Sequence, residues 1–244
     1  MKICIDPGHG GYDPGAVGNG LQEKDITLKL ALKTRDLLEN SCNVILTRDS
    51  DNTVWDSSND LQTRCDIANN AGADYFISIH VNSGGGSGFE NYYGNNASQH
   101  SIYLAGLMHD NVAAFYSSKG FADRGLKAAH LWVLRRTNMP ATLLENLFID
   151  NPTDASFLAQ EGNLNDIAFA IANAVCVAFN LPAPQKPTPS TPLTPTPPVP
   201  HWAQGSFDRL KQLGIVSDNH NLDSNVTWGE VSALLDKTLK ILGR

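Results

Sequence analysis

The sequence predicts an α/β domain with a largely parallel sheet, joined through a proline-rich spacer to a small helical module. Three observations carry this expectation. Short apolar runs alternate with longer stretches of helical periodicity over 1–181. Nine prolines fall within 182–200, a composition that favours polyproline II. A short amphipathic stretch, 201–244, follows. With 244 residues, 41% apolar and 18% charged, the chain has enough length for one good core plus a smaller unit. It is neither a disordered chain nor a disulfide-dense mini-protein.

Within 1–181 the elements come in order. Residues 2–6 read as a strand. Asp25 is placed to cap a helix over 26–39, with Ile26, Leu30, Leu37 and Leu38 on one face. Residues 44–47 read as a strand, 61–71 as a helix ended by Gly72, and 75–81 as a strand. A glycine-rich loop spans 83–88, followed by a strand at 89–93 and a helix at 102–115. Two strands are expected at 131–134 and 141–144, and a last apolar helix at 164–179.

Charge excludes some function classes. Lys plus Arg is 18 against 25 for Asp plus Glu, giving a net charge of −7. No basic stripe for nucleic acid appears, and no apolar run is long enough to insert in a membrane. The four cysteines, Cys4, Cys42, Cys65 and Cys176, are widely spaced among apolar neighbours and read as buried free thiols. The first residues read as a strand, without the charged and apolar regions of a leader. The expectation is synthesis in the cytoplasm without a signal peptide.

The chemistry concentrates at four places. Asp6-Pro7-Gly8-His9-Gly10-Gly11 follows the first strand and presents a histidine at its carboxyl end, where open α/β sheets bind ligands. It matches neither phosphate-loop nor dinucleotide patterns. Glu23 precedes the helix that Asp25 starts. On the strand Ser78-Ile79-His80-Val81-Asn82, the polar residues 78, 80 and 82 share one face. His9, Glu23 and His80, with a fourth position open to water, make a catalytic zinc set. Mn²⁺ or Co²⁺ also suits such N/O donors. Glu145 ends the apolar run 141–144 and is placed as the general base. Each residue taken alone has a plainer reading: His9 as a surface histidine, Glu23 as a charge near a helix N-terminus, Glu145 as a strand-end salt bridge.

Together these residues resemble the zinc-dependent N-acetylmuramoyl-L-alanine amidases of the amidase-3 type. The resemblance covers about 1–180. It rests on DPGHGGYDPGA at 6–16, Glu23-Lys24-Asp25, Thr47-Arg48-Asp49, Arg64 with Ala68-Asn69, and SIHVNS at 78–83. Gly88 with Glu90, Asp123-Arg124-Gly125, and Pro140 through Glu145 to Asn151 complete it. It implies a mixed six-stranded sheet flanked by helices, one Zn²⁺ on His9, Glu23 and His80, and Glu145 as the catalytic glutamate. The implied reaction cuts the amide between N-acetylmuramic acid and L-alanine in peptidoglycan. Asn82 and Arg64 are candidate substrate contacts, with a structural ion pair as the alternative for Arg64.

The stretch 200–242 resembles one S-layer homology repeat, from Pro200-His201-Trp202-Ala203 through Phe207–Ile215 to Val226-Thr227 and Glu230. Thr227 with Glu230 makes a capping box. Trp228 stands where such repeats usually carry arginine, and the chain holds one repeat where three are common. The tail is therefore read either as a module that self-associates or docks on the catalytic domain, or as a remnant that binds secondary cell-wall polysaccharide. The division is then a catalytic domain at 1–181, a linker at 182–200 and a helical module at 201–244. A phage or prophage endolysin of a Gram-positive host, acting at the wall after release, is the expected setting. An autolysin of a sporulating mother cell is its near rival. The rivals in kind are a non-catalytic wall-binding protein and a zinc amidase of a non-wall amide.

Overall fold

The computed structural model describes residues 1–53, 55–185, 204–216 and 228–241. Most of the proline-rich spacer, the 200–203 signature and Thr227 of the capping box lie outside them. The chain divides into two units between Lys186 and Pro187.

The first unit begins with β1 (Lys2–Pro7), then a small ribbon of β2 (Val17–Gly18) and β3 (Leu21–Gln22) leading into α1 (Glu23–Leu38). Next come β4 (Asn43–Leu46), α2 (Asp60–Ala71), β5 (Tyr75–Asn82), β6 (Phe89–Gly94) and α3 (Gln99–Ser118). The unit closes with β7 (Asp123–Ala129), α4 (Trp132–Arg136), β8 (Ala141–Phe148), α5 (Pro152–Leu158) and α6 (Glu161–Ala178). The six-stranded sheet has the order β4-β1-β5-β8-β6-β7. Its first four strands run parallel, β6 runs antiparallel to β8, and β7 is parallel to β6. The expected mixed sheet is therefore present.

Alternation along the strands makes two cores. Ile3, Ile5, Ile77, Ile79 and Leu144 point to one face and pack with α1, α3 and α6. Cys4, Phe76 and Leu143 point to the other and pack with Cys65 and Ala68 of α2 and with Val133 and Leu134 of α4. Each fully buried large aliphatic side chain contributes about 1.5–3 kcal/mol. Toward the carboxyl ends of β1, β5 and β8 the α2/α4 face turns polar. Asp6, Ser78, His80 and Glu145 continue the positions occupied lower down by Cys4, Phe76 and Leu143.

Several expectations need correction. The run expected as a strand at 131–134 is the short helix α4; a brief apolar run has no period that separates the two. Asp25 is not a cap. The ribbon delivers Gln22 as the N-cap, and Asp25 sits exposed in the first turn of α1, where it favours the helix dipole. β8 continues to Phe148, so Glu145 stands inside a strand and not at its end. β7 was not expected, because this edge strand is interrupted by Gly125 and lacks alternation. Of the four free thiols, Cys4, Cys65 and Cys176 are buried and Cys42 is half-buried.

The end of β1 is held by a buried ion pair. Arg64 Nη1 donates to Asp6 Oδ1 at 2.8 Å, with both side chains almost wholly buried. Asp6 also accepts from Thr47 Oγ1 at 2.6 Å and Ser78 Oγ at 2.7 Å. Burial pushes the Asp6 carboxyl up, but the Arg64 guanidinium and these donors outweigh it and hold it below the usual carboxylate range.

The second unit contributes α7 (Gln204–Gln212) and α8 (Trp228–Ile241). α7 stops at Gly214, whose φ of 70° returns its N–H to Lys211 O at 3.0 Å. Leu234, Leu235 and Leu239 of α8 are exposed. Among the described residues, no helix is long and apolar enough to cross a membrane.

Replacing Asp6 leaves the buried Arg64 charge with Asp60 as its remaining carboxylate partner. Asp6→Asn is expected to cost about 3 kcal/mol in urea unfolding near pH 7. The depressed carboxyl gives stability that is present above its unfolded pKa and lost as pH falls through the folded value. The deficit should therefore shrink in acid, and a deficit that is constant with pH would contradict the ion pair.

Candidate functional site

Two arginines shape the loop after β1. Arg64 reaches Pro7 O and His9 O, both at 2.7 Å, and Asp60 at 2.5 Å. Arg48 Nη2 reaches Gly8 O at 3.0 Å and Lys24 O at 2.8 Å, tying the loop to the start of α1. So held, His9 adopts a left-handed φ of 61°, a costly conformation for a side-chain-bearing residue. Gly8 and Gly15 are required for space. A Cβ on Gly8 would lie 2.4 Å from the His80 ring, and one on Gly15 would lie 2.6 Å from the His9 ring.

Glu23, at the first position of α1, is buried and bridges both imidazoles. Its Oε2 lies 3.1 Å from His9 Nε2, and its Oε1 lies 3.0 Å from His80 Nδ1. The carboxylate also accepts from Ala16 N and Val81 N, at 2.9 Å each. His9 Nδ1 donates to Asp13 Oδ2 at 2.7 Å, which fixes the ring with Nε2 facing inward. Burial pushes the Glu23 carboxyl up, but the two imidazoles outweigh it and hold it far below its ordinary value. Burial likewise depresses His9, while Glu23 and then Asp13 raise it to about 9. One donor atom from each of His9, Glu23 and His80 lies within 4.8 Å of the others. Two imidazoles and a carboxylate at this separation fit a divalent ion, and no cysteine joins the group.

Glu145 is the ladder partner of His80 on β8, and of Glu90 on β6. Its Oε2 is buried without a hydrogen-bond partner among the described residues. Burial is the largest cause lifting its carboxyl to about 7; Glu23 and Glu90 add to it against the pull of His80. Glu90 has the opposite surroundings. It accepts from Asn82 Nδ2 at 2.5 Å, Tyr92 Oη at 2.9 Å, Arg124 Nε at 3.0 Å and Lys127 Nζ. These donors, Lys127 foremost, overcome burial and hold Glu90 at about 2.

The expected residues His9, Glu23, His80 and Glu145 thus converge. Asn82 engages Glu90 and accepts from Ser83 N. Arg64 directs its guanidinium to Asp6, Asp60 and the loop carbonyls, the structural alternative considered for it. Asp13, Glu90, Tyr92 and Lys127 had been given no role. A cavity of about 160 Å³, lined by His9, His80, Arg64 and Trp132, opens beside the triad.

A family model described as N-acetylmuramoyl-L-alanine amidase matches residues 3–177. The chain belongs to that family. It is an enzyme, a peptidoglycan amidase, and its relatives are consistent with this. The sporulation-specific N-acetylmuramoyl-L-alanine amidase of Bacillus subtilis is 47% identical over 184 residues, covering 74% of this chain and 69% of the relative. The endolysin of Bacillus phage SPP1 is 42% identical over 184 residues, covering 73% and 66%. The catalytic domain of the amidase CwlV from Bacillus (Paenibacillus) polymyxa superposes with a TM-score of 0.67 at 34% identity. That match covers 74% of this chain and 99% of CwlV's domain.

The partnerless Glu145 carboxylate should cost the amidase stability. Its folded pKa of about 7 exceeds the ordinary glutamate value of 4.5, so charging it destabilises the fold as pH rises between the two. In metal-free protein, Glu145→Gln is expected to gain about 1–3 kcal/mol near pH 8 and nothing near pH 4, by urea unfolding. An equal change at both pH values would contradict this environment.

Proposed function

We propose that this amidase is zinc-dependent, with His9, Glu23 and His80 as the metal ligands and Glu145 as the proton carrier. The observation that carries the reading is the pairing of a bridged His–Glu–His group with a partnerless carboxyl on the adjacent strand position. A Zn²⁺ ion there supplies a Lewis acid that polarises a carbonyl and acidifies water at neutral pH.

The chain's own residues do the rest. Asp13 keeps His9 in the tautomer whose Nε2 is free for the ion, and the β1 loop holds that ring against β5. Glu145, poised near neutrality, takes a proton from the attacking water at a carboxylate oxygen and delivers it to the leaving nitrogen of L-alanine. Arg64 and Asn82 act through what they hold, the His9 loop and Glu90.

The substrate is the amide joining N-acetylmuramic acid to the stem peptide, in the wall of a Gram-positive cell. A phage or prophage endolysin released onto the wall fits the endolysin relative. A sporulation amidase is favoured by the higher identity to that relative. The second unit is a tether that binds wall polysaccharide or self-associates through the exposed leucines of α8. A sedimentation mass that stays monomeric at every concentration counts against self-association.

The test is digestion of purified Gram-positive peptidoglycan, with mass spectrometry of the products and bound metal counted. Wild type should release new L-alanine amino termini with about one zinc per chain. Glu145→Ala should keep the zinc and lose about 10²–10⁴ in rate. His80→Ala should lose both. Cleavage that survives Glu145→Ala, or zinc that survives His80→Ala, would contradict the assignment.

A further inference from the structure

Beside the catalytic cavity lies a larger one of about 420 Å³, lined by Tyr12, Asp13, Ser58, Asn59, Gln62 and Trp132. The two share Asp13, Asp60, Leu61 and Trp132, so they adjoin along one groove face. Its two aromatic rings are 53% and 40% exposed, and each has a polar neighbour. Tyr12 Oη donates to Asp60 at 3.1 Å, and Asp60 is itself held by Arg64. The Arg136 guanidinium lies 4.9 Å from the centroid of the Trp132 ring. Exposed aromatic faces ringed by hydroxyl, amide and carboxylate groups suit a neutral polyhydroxylated ring.

The far side of the triad has the opposite character. Asp123 of β7 pairs with His109 of α3, and crossing the sheet from β1 through β5, β8 and β6 to β7, the cations met last are Arg124 and Lys127. Both touch Glu90, and their side chains remain 37% and 40% exposed. Two partly exposed cations thus gather on the face of β7 that meets Glu90.

We infer that the groove orients its substrate. Sugar rings of the glycan strand lie over Tyr12 and Trp132, and the carboxylates of the stem peptide point toward Arg124 and Lys127. This rests on the amidase reading, in which a short ether link joins the sugar to the scissile carbonyl. Among the described residues, the lining of the aromatic cavity holds no cation to pair with a peptide carboxylate, since its charged groups are Asp13 and Asp60, whereas a neutral N-acetylated sugar needs none.

The test uses the full chain and a peptide-free probe, the tetramer of N-acetylglucosamine, titrated by calorimetry. The tetramer should bind wild type. The Tyr12→Ala/Trp132→Ala pair should weaken it at least about ten-fold, and Trp132→Phe should recover most of that. Circular dichroism of each variant checks folding. Wild type should also prefer muropeptides with free carboxylates over amidated ones in kcat/KM. Arg124→Gln/Lys127→Gln should lose that preference through KM while keeping the tetramer affinity. Wall cleavage by a wild type that does not bind the tetramer, or binding indifferent to Tyr12 and Trp132, would overturn the orientation and leave the amidase reading intact. Tetramer binding through Trp132 in a protein that cleaves no wall would support the sugar cavity and sink the amidase reading.

Discussion

The carboxylate of Glu23, shared between His9 and His80, is the constraint on which the site depends. It joins three separate parts of the chain: the loop after β1, the first turn of α1 and the end of β5. Two imidazoles drawn onto one buried carboxylate must approach closely, and the surrounding sequence makes room for that. Gly8 and Gly15 are bare because a Cβ at either would collide with a ring. His9 accepts a strained backbone because Arg64 and Arg48 secure the carbonyls on either side. The Asp6–Arg64 pair, the glycines and the start of α1, where no side chain caps the helix, all serve the placement of a few polar atoms.

Glu90 and Glu145 face each other across the β6–β8 ladder, yet their environments push them apart. Glu90 has donors from Asn82, Tyr92, Arg124 and Lys127 and stays ionised. Glu145 has an orphaned oxygen and rises to about 7. One is a fixed charge that organises the β7 side of the groove; the other is suited to carry a proton. Two carboxyls on adjacent strands acquire two roles because these donors all converge on Glu90.

Much of this was legible in the sequence, for physical reasons. The alternation of 78, 80 and 82 announced a polar face because a strand has period two, and β5 places those residues as expected. Gly72 ended α2 because only glycine enters the left-handed region cheaply. The pieces that escaped depend on distant contacts. β7 is an edge strand stabilised by pairing with β6, and α4 is defined by packing of Val133 and Leu134 on Phe76 and Leu143. The role of Glu90 required knowing that β6 returns antiparallel beside β8, which no local pattern states.

The central claim is that His9, Glu23 and His80 together form the metal centre. The most direct measurement is X-ray absorption at the zinc edge on the full chain loaded with one equivalent of zinc. The expected spectrum shows two imidazole nitrogens with the remaining ligands oxygen, and Glu23→Gln alters it. Sulfur from any of the four cysteines in the coordination shell, or a spectrum indifferent to Glu23→Gln, would contradict the claim.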